Sequence, residues 1–92
     1  MHLTDKQRIE RLGYLNNGWK IENQLLVRSF EFKDFVHAFE FLKRVAEISE
    51  KNNHHPHIYN SYNKVVIKLI THDLDSISSK DFDLALEIDK IK

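Results

Sequence analysis

Between Asp34 and Glu50 the residues Phe35, Ala38, Phe39, Leu42, Val45, Ala46 and Ser49 recur at helical spacing, and this long amphipathic stretch constrains the fold more than anything else in the chain. Asp34 is its natural N-cap, because a carboxylate just before the first turn accepts amide hydrogens that have no helical partner. An apolar helix face must lie on another layer, and alternating segments on either side supply one. Upstream, Gly18 precedes Trp19-Lys20-Ile21, Glu22-Asn23-Gln24 reads as a hairpin turn, and Leu25 to Phe32 forms the second strand. Leu26, Arg28, Phe30 and Phe32 share one face of it, with both Phe directed to the core. Trp19 is expected to anchor the same core or its hairpin. Downstream, Ile58 to Tyr62 and Val65 to Thr71 flank a turn at Asn63-Lys64, and Val65, Ile67 and Leu69 alternate with Val66, Lys68 and Ile70.

Shorter helices close both ends. Thr4 and Gln7 form a capping box, Ile9 and Leu12 give an apolar stripe, and Gly13 is placed to end the helix in a left-handed conformation. Ser78 and Asp81 make a second box, opening a helix whose buried side is Phe82, Ala85, Leu86, Ile88 and Ile91. The order helix, hairpin, helix, hairpin, helix predicts an α+β fold: a four-stranded antiparallel sheet with three helices packed on one face, as a single domain over residues 1–92. The opposite face is left to water or a partner. A chain of 92 residues has a small interior, so a ligand pocket is expected to take a wall from a second subunit.

Charge and composition exclude several classes. Lys plus Arg equals Asp plus Glu at 14 each, so no net positive field recruits nucleic acid directly. Without cysteine there is no disulfide, thiolate nucleophile or thiolate metal site, which fits a reducing compartment and makes the cytoplasm the expected location. Met1-His2-Leu3-Thr4-Asp5-Lys6 lacks the apolar run of a signal peptide, and no run of about 18 apolar residues occurs, so no membrane association is expected.

The chemistry gathers in one ordered set: Glu50, His54-His55-Pro56, Tyr62, His72 and Asp81. Imidazole titrates near neutrality, which makes a pocket of histidines a candidate for proton transfer. Glu50 and His54 stand four apart at the end of the long helix, so the carboxylate is placed to orient that imidazole if the last turn persists. Pro56 drives His55 toward extended geometry and makes the adjacent rings diverge. His72 approaches from the end of the second hairpin. Asp81 reads primarily as a helix cap and Tyr62 as a packing residue. His37 lies on the polar side of the long helix, with Lys43, Arg44 and Glu47 as a solvated face. A metal is not expected, because diverging adjacent histidines lack the cysteines or carboxylates that complete a shell.

This spacing resembles the pterin-4a-carbinolamine dehydratases, whose pattern runs from an acidic or polar residue through His-His-Pro, an aromatic and a His to an Asp. Gly18-Trp19, Arg28-Ser29-Phe30-Glu31-Phe32, Asp34-Phe35, Ala38-Phe39, Tyr62-Asn63-Lys64-Val65 and Thr71-His72-Asp73 also look like that family. The resemblance implies a hydro-lyase that removes water from 4a-hydroxytetrahydrobiopterin, giving quinonoid dihydropterin in tetrahydrobiopterin recycling, with no cofactor. It implies His54 and His72 as acid and base, His55 as a positioning and proton-transfer group, and Glu50 as orienter. Asn53, Thr71 and Asp73, beside those histidines, would bind the pterin ring edge. His57 stands where the family often has an acid, which makes the pocket rim less negative. The family forms homodimers and homotetramers, and some members serve as dimerisation partners of a transcription regulator, so a noncatalytic or bifunctional binding module is the alternative.

Overall fold

The computed structural model describes residues 3–91; Met1 and His2, part of the stretch examined for a signal peptide, and Lys92 lie outside the described residues. The elements follow the expected order: α1 (Asp5–Leu12), β1 (Lys20–Glu22), β2 (Leu25–Glu31), α2 (Phe35–Asn52), β3 (His57–Ser61), β4 (Lys64–Leu69) and α3 (Ser79–Asp89). The strands form one antiparallel sheet in the order β1-β2-β4-β3, so α2 carries the chain from β2 past β4 to the edge strand β3. This is the α+β fold that the hydrophobic pattern implies. Among the described residues no helix is long and apolar enough to cross a membrane.

Local chemistry sets most of the boundaries. Both capping boxes form, Thr4 with Gln7 and Ser78 with Asp81. Asp34 caps α2 by accepting the His37 amide at 2.9 Å and meets the His37 ring at 2.6 Å, and these bonds hold its carboxyl below the usual carboxylate range. The first hairpin turns on Asn23 and Gln24, whose φ of 50° and 65° give the primed turn that matches strand twist. Gly18 has φ 110°, and a Cβ there would meet Arg28 Nε at 3.2 Å, so the approach to Trp19 depends on glycine.

Three details depart from the pattern. Gly13 is right-handed (φ −65°, ψ −19°), because the Tyr14 and Leu15 amides continue to Arg11 and Leu12 and wind the chain onward. The second hairpin turns one residue early, at Tyr62 and Asn63. There Asn63 exchanges two bonds with Phe32: its Nδ2 donates to the Phe32 carbonyl and its own carbonyl accepts the Phe32 amide, each at 2.8 Å. Tyr62, in that turn with φ 52°, is 64% exposed and so does not serve as a packing residue.

Helix phase was only partly legible. α2 buries Ala38, Phe41, Val45 and Ser49, whereas Phe35, Phe39 and Ala46 face outward. Phe41 sets this rotation by packing against Phe30 of β2 and Phe32 just beyond it, with ring centres at 4.7 and 5.0 Å. Phe35 and Phe39 contact each other at 5.5 Å and remain 48% and 51% exposed. In α3, Leu84 is buried and Leu86 exposed, reversing the expected pair. At about 3.6 residues per turn, Asp81, Phe82, Leu84, Ala85 and Ile88 sweep an arc of about 160°, and Leu86 falls outside it.

The core joins Leu26, Val65, Ile67 and Leu69 of the sheet to Ala38, Phe41 and Val45 of α2 and Phe82, Leu84, Ala85 and Ile88 of α3. At one end Asp89 accepts hydrogen bonds from Trp19 Nε1 (2.8 Å), Arg28 Nη1 (2.9 Å) and the Asn16 amide (2.8 Å). One carboxylate thereby ties the last helix to β2 and to the segment that leads into β1.

Candidate active site

The chain leaves α2 through Asn53, which adopts the left-handed conformation (φ 49°, ψ 43°) that asparagine tolerates better than most residues. The Asn53 amide donates to Glu50 O at 3.2 Å and the His54 amide to Ser49 O at 3.1 Å, the paired bonds of a Schellman stop. This left-handed step redirects the next two side chains. His54 turns inward, where Nε2 meets Asp81 Oδ1 at 2.6 Å, and His55 turns back along the helix, where Nε2 meets Glu50 Oε2 at 2.6 Å. The expected Glu50–His54 pair is therefore replaced by Glu50–His55, because the helical turn that would align positions four apart ends at Asn52.

The two imidazole–carboxylate pairs occupy different environments. The side chain of His54 is 12% exposed and that of Asp81 0%, against 57% for His55 and 77% for Glu50. Asp81 Oδ2 accepts from Thr71 Oγ1 at 2.8 Å and from the Ser78 amide at 2.9 Å. Since Thr71 gives its single hydroxyl proton to Asp81, the 2.5 Å contact between the Thr71 and Ser78 hydroxyls is donated by Ser78. A carboxylate can only accept, so the proton in the His54–Asp81 bond belongs to Nε2, and a neutral His54 keeps its free lone pair on Nδ1. Asp81 thus combines the cap read from sequence with a bond to a histidine 27 residues away, which spacing could not reveal.

Thr71 is buried with its hydroxyl directed at Asp81, while His72, Asp73 and Asn53 are exposed. A bridge between Thr71 and Ser76, with the Asp75 amide on His72 O at 3.1 Å, holds the short loop that presents His72. The His72 ring packs on that of His57, the first residue of β3, with centres 5.3 Å apart and planes at 56°. In sequence His57 is the basic residue after Pro56; its contact with His72 comes from the fold.

Within one α+β domain, His54 is seated on a buried carboxylate, His55 on an exposed one, and His72 packs against His57. The sequence profile of pterin 4 alpha carbinolamine dehydratase matches residues 1–91, and the chain belongs to that family. A relative from Prochlorococcus marinus (strain AS9601), provisionally named pterin-4-alpha-carbinolamine dehydratase, is 51% identical over 98% of this chain and 94% of its own length. One from Sulfolobus acidocaldarius with the same provisional name is 38% identical over the whole of both chains. A Brucella melitensis structure described as a transcriptional coactivator/pterin dehydratase superposes with a TM-score of 0.90 at 36% identity, covering 96% of this chain and 95% of that one. A pterin dehydratase-like RuBisCO assembly factor of the alpha-carboxysome shares the fold, with a TM-score of 0.69 at 23% identity over 80% of this chain and 88% of that one.

Proposed function

We propose that this protein dehydrates 4a-hydroxytetrahydrobiopterin by histidine acid/base catalysis, and the observation that carries the reading is His54 held by the buried Asp81. The reaction breaks the C4a–O bond and forms the C4a=N5 double bond. The N5 lone pair drives hydroxyl departure, one imidazole takes the N5 proton, and a second, protonated, imidazole delivers a proton to the leaving oxygen as water forms. His54, with Nδ1 free, and His72, exposed on its loop, are the two groups. Asp81 fixes the tautomer of the first, supported by Thr71 and Ser78.

His55, held by Glu50, positions the substrate and stands ready as a further proton-transfer group. Asn53 and Asp73 are exposed polar neighbours for the pterin ring edge, while the buried Thr71 acts through Asp81 on His54. No cofactor enters this scheme. The product, quinonoid dihydropterin, would be returned to the tetrahydro form by a separate reduction in the cytoplasm. The exposed Phe35, Val36 and Phe39 on α2 favour, as a second role, association into a homodimer or homotetramer or with a regulatory protein partner.

The test is the dehydration rate of chemically generated 4a-hydroxytetrahydropterin across pH for the wild type, His54→Ala and His72→Ala. Loss of rate in both folded variants supports the assignment; a wild type no faster than the uncatalysed reaction removes it. Sedimentation giving only monomer at micromolar concentration removes the oligomer.

A further inference from the structure

The outer face of the sheet carries a charge pattern with one uncompensated member. Register places Lys20, Val27, Lys68 and His57 in one row across the four strands on the side away from the Leu26–Ile67 core, since Lys20 pairs with Val27, Val27 with Lys68 and Lys68 with His57. Lys20 has its own acid, Glu22, at 3.1 Å. Lys64 stands directly opposite Glu31 in the β2–β4 register. Lys68 has Val27 and His57 as its cross-strand neighbours, so neither flanking position offers it an acid.

A cleft of about 220 Å³ opens there, lined by His57, Ile58, Tyr59, Val66 and Lys68. It lies below the roughly 300–1,000 Å³ typical of a whole-ligand pocket, so it fits part of a ligand. It also adjoins the candidate active site, because the ring of His57 packs on that of His72. The C6 substituent of a pterin leaves the ring from the atom bonded to N5, the reacting nitrogen. A pterin with N5 beside His72 can therefore direct its side chain past His57.

We propose that this cleft is a subsite for an anionic group, phosphate or carboxylate, on the side chain of the pterin, with Lys68 as its cation, His57 as a hydrogen-bond donor and Tyr59 as its wall. The inference rests on the dehydratase reading and revises its substrate: pterins with an acidic side chain are preferred over neutral ones, so 4a-hydroxytetrahydrobiopterin, whose C6 dihydroxypropyl group is uncharged, is the poorer substrate.

The experiment measures binding of 6-hydroxymethylpterin and of its monophosphate ester by pterin fluorescence, together with dehydration of the corresponding 4a-hydroxy forms. The wild type is expected to bind the ester about tenfold more tightly, as a charge-assisted contact allows, with the preference shrinking as salt rises. Lys68→Gln should bring the two ligands level, while Lys64→Gln keeps the preference. Pterin-6-carboxylate in place of the ester separates a general anion site from one needing phosphate, and a preference for either supports the subsite. Equal wild-type affinity for charged and neutral pterins overturns it, as does a Lys68→Gln change that affects both alike or an equal loss in Lys64→Gln. Dehydration without charge preference removes the subsite and keeps the enzyme. Charge preference without dehydration keeps the cleft as a pterin site and removes the enzyme.

Discussion

Replacing Asp81 separates what it does for the fold from what it does for His54. In Asp81→Ala the Ser78 amide and the His54 ring both lose their acceptor, while the Thr71 hydroxyl can turn to Ser78 Oγ. Because Asp81 is fully buried, water cannot replace it there. Breaking a buried pair of this kind destabilises by about 3–5 kcal/mol, and orphaning a buried donor accounts for about 1–3 kcal/mol of that. For a domain of this size the melting temperature should fall by more than about 12 °C. Asp81→Asn keeps the shape, and its carbonyl oxygen still accepts from Ser78 and Thr71, so the expected cost is only about 1–2 kcal/mol. Its amide must then donate to His54 Nε2, which moves the imidazole proton to Nδ1 and puts a donor where a lone pair had been. Dehydration by Asp81→Asn should therefore fall about 100-fold, a typical worth of a positioned acid or base, while the protein stays folded. Urea titration and single-turnover rates on the same samples measure the two effects. A wild-type rate in Asp81→Asn, or Asp81→Ala within about 1 kcal/mol of wild type, refutes the reasoning.

Other outcomes follow from the same contacts. Asp89→Ala, which removes the acceptor shared by Trp19, Arg28 and Asn16, should cost about 3 kcal/mol in denaturant unfolding, because it leaves Arg28 unpaired near the core. Leu84→Ala should cost about 2–5 kcal/mol and Leu86→Ala less than half of that; equal costs would contradict the observed phase of α3. The Asp34 carboxyl lies below its ordinary value of 3.8 in the folded chain, so the stability it contributes is present above that pH and is lost as pH falls through the lower folded value. Asp34→Asn should therefore show a shallower acid limb in stability against pH, and an unchanged limb would dissociate Asp34 from it. Glu50→Gln, which alters the exposed His55 pair, should leave stability within about 0.5 kcal/mol and change KM more than kcat.

The order and kind of the elements were legible along the chain, because the rules that set them act over a few residues. Alternation marked β2 and β4, both capping boxes placed helix starts, and Asp34 opened α2. The same short-range rules named the histidines and, by family spacing, the set they belong to. Tertiary structure decided whatever depends on the rotation of one element against another. Phe41 rather than Phe39 turned inward because Phe30 of β2 and the adjoining Phe32 receive it, and Asn63 moved a hairpin turn by bonding to Phe32. The partners of the histidines belong to this second kind. A single left-handed residue, Asn53, ended the helix and exchanged the carboxylates, giving Glu50 to His55 and leaving His54 to Asp81. Spacing along a chain predicts contacts while the backbone stays regular, and it stops doing so where the backbone changes hand and a buried group from a distant element supplies the bond.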